Sequence, residues 1–204
     1  MGKKYYVLVG LVIIAGVLIS FNTLNKTTSV ADTDDSLVTL VSNDGEETKW
    51  YSFNEAVELN AKNGKKLFVD VYTNWCGPCK WLDKNTLSHP GIQKIMDEYF
   101  IPVKFNAEGN DTISFDGKVF VNKNPNAAAR MSTHEFTPYI ASTPQGVAYP
   151  TMVFFNNELE LIQPITGALR PRQLEPILVF IGGDHYLSTP WEDFVAEYQY
   201  TIPE

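Results

Sequence analysis

Trp75-Cys76-Gly77-Pro78-Cys79-Lys80 is the stretch that most narrows what this chain can fold into. It holds the chain's only two cysteines, separated by two residues. Lys66-Leu67-Phe68-Val69-Asp70-Val71-Tyr72 runs just before it, short, apolar and rich in strand formers. The residues just after it read as helix. A strand that delivers a C-x-x-C pair to the start of a helix has a physical use. Free backbone N–H groups and the positive end of the helix dipole favour a thiolate over a thiol. The first cysteine then becomes a nucleophile near neutral pH. A second thiol one turn on can attack the mixed disulfide and release the product. Two cysteines leave three readings: a redox pair, half of a zinc site, or a small inert disulfide. Zinc needs two further ligands at suitable spacing, and His89, His134 and His185 are scattered. An inert bridge across so short a loop would constrain the unfolded chain little.

The chain of 204 residues has room for one domain with extensions. A net charge of −8 argues against a nucleic-acid partner. Lys3 and Lys4 precede Tyr5 to Phe21, a run without charge. Its length is near the lower limit for a membrane-spanning helix, about 17 residues. Lysines before the run and Asp32, Asp34 and Asp35 after it predict an anchor in the cytoplasmic membrane over residues 1–21, with the N-terminus on the inner side. The domain then lies on the extracytoplasmic, periplasmic side, where disulfides persist. A cleaved signal, which would make the protein secreted, is the alternative. Residues 22–36 are polar and read as a tether. The domain is expected over residues 37–204, with Leu37 to Val41 either a short strand or more tether.

Along the domain, Lys49-Trp50-Tyr51 reads as a first strand. Ser52-Phe53-Asn54-Glu55 has the form of a capping box, and Phe53, Ala56, Val57 and Leu59 give the helix that follows an apolar face. Gly64 closes it. Leu67 to Tyr72 is apolar on both faces, as a buried parallel strand is. The helix after the cysteines runs through Leu82 toward Asn85, and Pro90 suits the start of another. Ile101 to Asn106 is the next strand. Ile113 to Val121 forms a hairpin around Asp116-Gly117, and the alanines of Asn126 to Met131 suggest a short helix. Met152 to Phe155 and Leu159 to Ile165 pair as a second hairpin across Asn156-Asn157. Pro171 to Ile181 is a helix, and Thr189-Pro190-Trp191-Glu192 opens a helical extension over residues 189–200 that docks on the domain.

These residues together resemble the thioredoxin family. The likeness is carried by Phe68-Val69-Asp70 through Lys80, by Val103-Lys104-Phe105-Asn106, by Tyr149-Pro150-Thr151 before an apolar strand, and by Thr166-Gly167-Ala168-Leu169. Lys84-Asn85-Thr86-Leu87-Ser88-His89-Pro90 resembles a narrower group. It includes the C-terminal thioredoxin-like domain of the membrane thiol–disulfide interchange protein and its single-domain relatives. The resemblance implies an α/β thioredoxin fold, a central mixed sheet flanked by helices. The stretch 107–145 would be an insert before the cis-proline strand.

The resemblance also implies roles. Cys76 would be the exposed attacking thiol and Cys79 the buried resolving thiol. Pro78 would tune the pair toward reduction. Asp70 would be the buried acid that helps deprotonate Cys79, with Lys104 beside it. Pro150 would be the cis-proline facing the cysteines. The physics of Asp70 stands alone: a carboxyl on a doubly buried strand has a raised pKa and can take a proton near neutrality. Trp75, Gly77, Pro78, Tyr149 and Pro150 form the expected substrate-binding set, with the backbone of Tyr149 open to strand addition.

The implied activity is that of a thiol–disulfide oxidoreductase, with a disulfide reductase favoured by Gly77-Pro78. A disulfide oxidase or isomerase is the alternative within the class, and a non-catalytic binding module the alternative outside it. No cofactor beyond a Cys76–Cys79 disulfide and no metal are expected. The partners would be protein disulfides and a membrane or extracytoplasmic electron donor. The insert and Tyr149, bulkier than the family's usual residue, lie near the substrate face. The histidines read as surface or capping residues.

Overall fold

The computed structural model describes residues 48–203. The expected anchor, tether and Leu37–Val41 segment lie outside them. No helix among the described residues is long and apolar enough to cross a membrane.

Helix α1 (Phe53–Asn63) begins where local chemistry sets it. Glu55 N–H donates to Ser52 Oγ at 3.4 Å, and Ser52 N–H donates back to Glu55 Oε2 at 2.8 Å. It ends at Gly64, whose φ of +67° suits a residue without Cβ and lets its N–H reach Asn60 O. Strand β1 (Lys66–Tyr72) follows, then α2 (Gly77–Leu82), a π-helical turn (Asp83–Leu87), α3 (Pro90–Tyr99) and β2 (Phe100–Asn106). His89 caps α3 by accepting from Gly91 N–H at 3.1 Å, and Pro90 occupies the first turn.

The main sheet has the order β2-β1-β5-β6, where β5 is Thr151–Phe155 and β6 is Leu161–Thr166. β1 runs parallel to β2 and antiparallel to β5, and β5 and β6 form an antiparallel hairpin. The expected central mixed sheet is therefore present, with β1 inside it.

Side chains alternate across β1, so the sheet carries a core on each face. Leu67, Val69 and Val71 face α1, where they join Phe53 and Ala56. The insert completes this layer with Ile113, Phe120, Phe136 and Ile140. Phe68, Met152 and Phe154 face the other way, against Leu82, Ile92 and Met96 and against Leu174 and Leu178 of α5 (Pro171–Gly182).

The insert forms the hairpin β3 (Ile113–Phe115) and β4 (Lys118–Phe120) around Asp116-Gly117, as its sequence predicts. It also forms α4 (Phe136–Ala141), which the sequence reading lacks. Asn126 to Met131 is a series of turns and no helix. Alanine propensity alone is too weak there, because the segment has no apolar face to bury. Lys49 to Tyr51 makes a single bridge from Tyr51 to Val103 and no strand.

Helix α6 (Trp191–Glu197) docks through Trp191 and Phe194, whose rings lie 5.1 and 5.0 Å from that of Phe180 on α5. Beyond α6 the chain turns back. Buried Glu175 on α5 accepts from Thr201 N–H at 2.6 Å, Thr201 Oγ1 at 2.7 Å, and Ile202 N–H and Tyr198 OH at 3.2 Å.

Candidate active site

Cys76 and Cys79 form a disulfide with Cα atoms 5.3 Å apart. Cys76 is the N-cap of α2, and Cys79 N–H donates to its Sγ at 3.1 Å. The same N–H would serve a Cys76 thiolate once the bridge opens, and Pro78 in the first turn has no N–H to leave unpaired. Helix geometry therefore gives the two sulfurs different electrostatic surroundings.

Cys76 is only 3% exposed and Cys79 1%. The resemblance implied an exposed attacking thiol, and the structure corrects this. Trp75 sits beside the pair with rings of its own to lean on. Tyr149 meets it edge-on at 5.9 Å between centroids, and the insert's Arg130 lays its guanidinium 4.5 Å above it. The second contact comes from the 107–145 stretch, which thus borders the pair on the Trp75 side.

Asp70 lies at the middle of β1, fully buried, on the face that carries Leu82 and the rest of the α2 layer. The parallel register sets it opposite Lys104 on β2. Lys104 Nζ donates to Asp70 Oδ2 at 2.6 Å and also contacts Asp83 Oδ1. Asp70 Oδ1 has no hydrogen-bond partner among the described residues. Burial raises the Asp70 carboxyl above the ordinary range, Lys104 pulls it back down, and Asp83 adds to the rise. Burial works against the Lys104 ammonium, but Asp70 and Asp83 outweigh it and raise its pKa. The result is a carboxyl able to exchange a proton nearer neutrality than a solvated one, with a cation fixed against it.

Asp83 is the residue that sequence reading missed. It follows Cys79 by one helical turn, so i, i+4 spacing places both on one side of the helix. That was the available signal. The π-helical turn that begins at Asp83 lay outside it. Trp50 was missed as well: its ring lies 4.5 Å from Lys104 Nζ and roofs the ion pair.

The Tyr149–Pro150 peptide is cis. Thr151 follows immediately as the first residue of β5, which pairs with β1 through Val71 and Thr151. Burial raises the Tyr149 phenol, with Glu108 adding to it, so it stays protonated at neutral pH. Two cavities flank the pair. One, about 350 Å³, lies between Trp75 and the insert residues Pro125 and Ala129. The other, about 530 Å³, is lined by Gly77, Pro78, Trp81, Ala168, Arg170 and Gln173. A larger groove between β6 and α5 includes neither cysteine.

The histidines stand apart from one another's chemistry. His134, expected on the surface or at a cap, is buried, and its Nδ1 accepts from Phe136 N–H at 3.1 Å just before α4. Among the described residues no group of three or more His, Cys, Asp or Glu is placed to hold a metal ion.

The profile of the thioredoxin-like family matches residues 49–157, more than half of the chain. No curated protein matches the sequence. Among solved structures, a thioredoxin from Thermus thermophilus is similar at 17% identity and a TM-score of 0.48, over 69% of this chain and 94% of that one. A thioredoxin-fold protein from Helicobacter pylori is similar at 19% identity and a TM-score of 0.49, over 66% and 80%. The oxidised C-terminal domain of DsbD from Neisseria meningitidis is similar at 12% identity and a TM-score of 0.42, over 65% and 99%.

Proposed function

The chain belongs to the thioredoxin-like family, and on that premise we propose that it is a membrane-anchored disulfide reductase working outside the cytoplasm. Its enzymatic class is thiol–disulfide oxidoreductase. The observation that carries the reading is the cysteine pair at the start of α2 with the Asp70–Lys104 pair on the sheet face beneath that helix.

The cycle starts from the dithiol. Cys76 thiolate attacks one sulfur of a substrate disulfide, and the other leaves as a thiolate. A mixed disulfide joins Cys76 to the substrate. Asp70 takes the proton of Cys79, whose thiolate then attacks Cys76 Sγ. The substrate's second thiolate departs, and Cys76–Cys79 is left oxidised. Two electrons have passed to the substrate. Lys104 stabilises ionised Asp70 before the transfer and loses part of that attraction after it. An extracytoplasmic or membrane donor returns two electrons to the pair. Tyr149, ahead of the cis bond to Pro150, offers its backbone to the substrate strand. The charge pattern around Tyr5 to Phe21 supports the anchor and the outward placement of the domain.

The deciding experiment is the equilibrium reduction potential of Cys76–Cys79 in the full chain, held in neutral detergent. A value near −270 mV, about that of thioredoxin, supports the reductase. A value near −120 mV, about that of a dedicated oxidant, reverses the direction.

A further inference from the structure

Arg130, Arg170 and Arg172 are the chain's only arginines. Two of them flank the cysteine pair. Arg130 stands on the Trp75 side, its guanidinium 4.5 Å over the indole. Arg170 stands on the other side, lining the cavity shared by Gly77, Pro78 and Trp81. Both side chains are exposed, and neither is ion-paired with a carboxylate among the described residues.

Arg130 is held in place deliberately by its loop. Its φ is +71°, a region that a residue with a Cβ rarely adopts. Glu108 Oε1 accepts its N–H at 2.6 Å. Asn122 and Ser132 exchange hydrogen bonds of 2.7 and 2.9 Å across the base of the same loop. Arg130 Cζ lies 4.5 Å over the Trp75 ring, and a guanidinium held flat against an indole keeps its N–H edges for a ligand. The choice of residue matters, since the chain draws its other cations almost entirely from lysine. A guanidinium grips a carboxylate through two parallel hydrogen bonds, which an ammonium cannot do.

We propose that Arg130 and Arg170 select protein substrates whose disulfide is flanked by carboxylates. Each arginine takes an Asp or Glu side chain on one side of the attacked bond. This assignment rests on the reductase reading above and names its substrate class. The chain as a whole carries −8 and repels acidic segments at long range. Salt near 0.1 M limits that repulsion to about 10 Å, whereas the two guanidinium groups act in contact.

The test uses the reduced full chain in neutral detergent at 0.1 M salt. Two disulfide-bridged peptides are compared, identical except that the residues flanking the bridge are Asp and Glu in one and Asn and Gln in the other. The readout is the ratio of their second-order rates of reduction. The acidic peptide should react about threefold to tenfold faster, the range expected for a few exposed charge pairs. The double variant Arg130→Gln, Arg170→Gln should bring the ratio to within about twofold of unity, while Lys62→Gln, a cation on α1, should leave it unchanged. Should the double variant unfold, each single variant must lower the ratio on its own. Equal rates in the wild type, or a ratio untouched by the arginine variants, overturn the assignment and leave the reductase standing. Reduction of neither peptide overturns both.

Discussion

Lys104 Nζ and Asp70 Oδ2 lie 2.6 Å apart across the β1–β2 register, with Asp83 on the far side of the same ammonium. One cation thus bridges a buried carboxylate and a half-exposed one. The sheet fixes the first contact, and the turn after α2 fixes the second. Any change in the charge of one carboxylate is felt by the other through Lys104.

That coupling has a sign that can be measured. Resolution by Cys79 needs Asp70 ionised to accept a proton. Asp83 raises the Asp70 carboxyl through its negative charge. Asp83→Asn should therefore move the acid limb of single-turnover substrate release to lower pH. Asp70→Asn should remove the limb and slow release at pH 7 by about a hundredfold, the ordinary contribution of a general base. Release that ignores both substitutions across pH 5 to 8 would remove Asp70 from the mechanism.

The same carboxyl should mark the stability of the oxidised protein. Its folded pKa is raised, chiefly by burial, so its stabilising contribution is complete below the unfolded value and is lost as pH rises through the folded one. Urea unfolding of the wild type should then lose ground, relative to Asp70→Asn, between acid and neutral pH. Parallel profiles for the two proteins would contradict the assignment.

The cysteines are expected to divide their labour. Cys79→Ala should accumulate mixed disulfides through Cys76, visible as adducts on non-reducing gels and by mass. Cys76→Ala should trap few, because Cys79 lies within α2, whereas Cys76 is its N-cap. Equal trapping by the two variants would reverse the assigned roles or merge them.

The aromatic centre of the insert makes a mechanical prediction. Phe136 is fully buried and meets the rings of Phe53, Phe105, Phe115 and Phe120 at 4.5 to 5.8 Å. Phe136→Ala should cost about 3–5 kcal/mol in chemical denaturation. A loss below about 1 kcal/mol would mean that the insert hangs outside the cooperative unit.

Glu175 is the corresponding pin at the other end of the domain. Its four accepted hydrogen bonds hold the segment after α6. Glu175→Leu strands Thr201 and Ile202 N–H groups and should cost about 2–3 kcal/mol, with new proteolytic cleavage after Glu197. Wild-type stability in that variant would show that the segment contributes nothing to the fold.

The sequence made some of this legible and hid the rest for physical reasons. Ser52 and Glu55 announced α1 because a capping box is local chemistry, complete within four residues. Asp116-Gly117 announced its hairpin because both residues tolerate positive φ, and both adopt it, at 51° and 68°. Asp70 and Lys104 could be paired because strand register is a long-range regularity of the family. Phe136–Ala141 escaped notice because it is short and contains Thr137 and Pro138, poor helix formers held there by packing. The placement of Arg130 over Trp75 depends on how residues 107–145 fold back, and no periodicity encodes that.

The shared layer between the insert and α1 also bears on how this domain could change over generations. Phe53 and Phe155 keep company with Phe115 and Phe136, so the insert roofs part of the sheet. Excising residues 107–145 would not leave a smaller intact domain. It would uncover an oily wall that now has no other cover, and the shortened chain would need several new polar residues on α1 and β5 before it stayed in solution. Insert and host are therefore committed to each other, and a viable route to a minimal domain runs through the α1 face first.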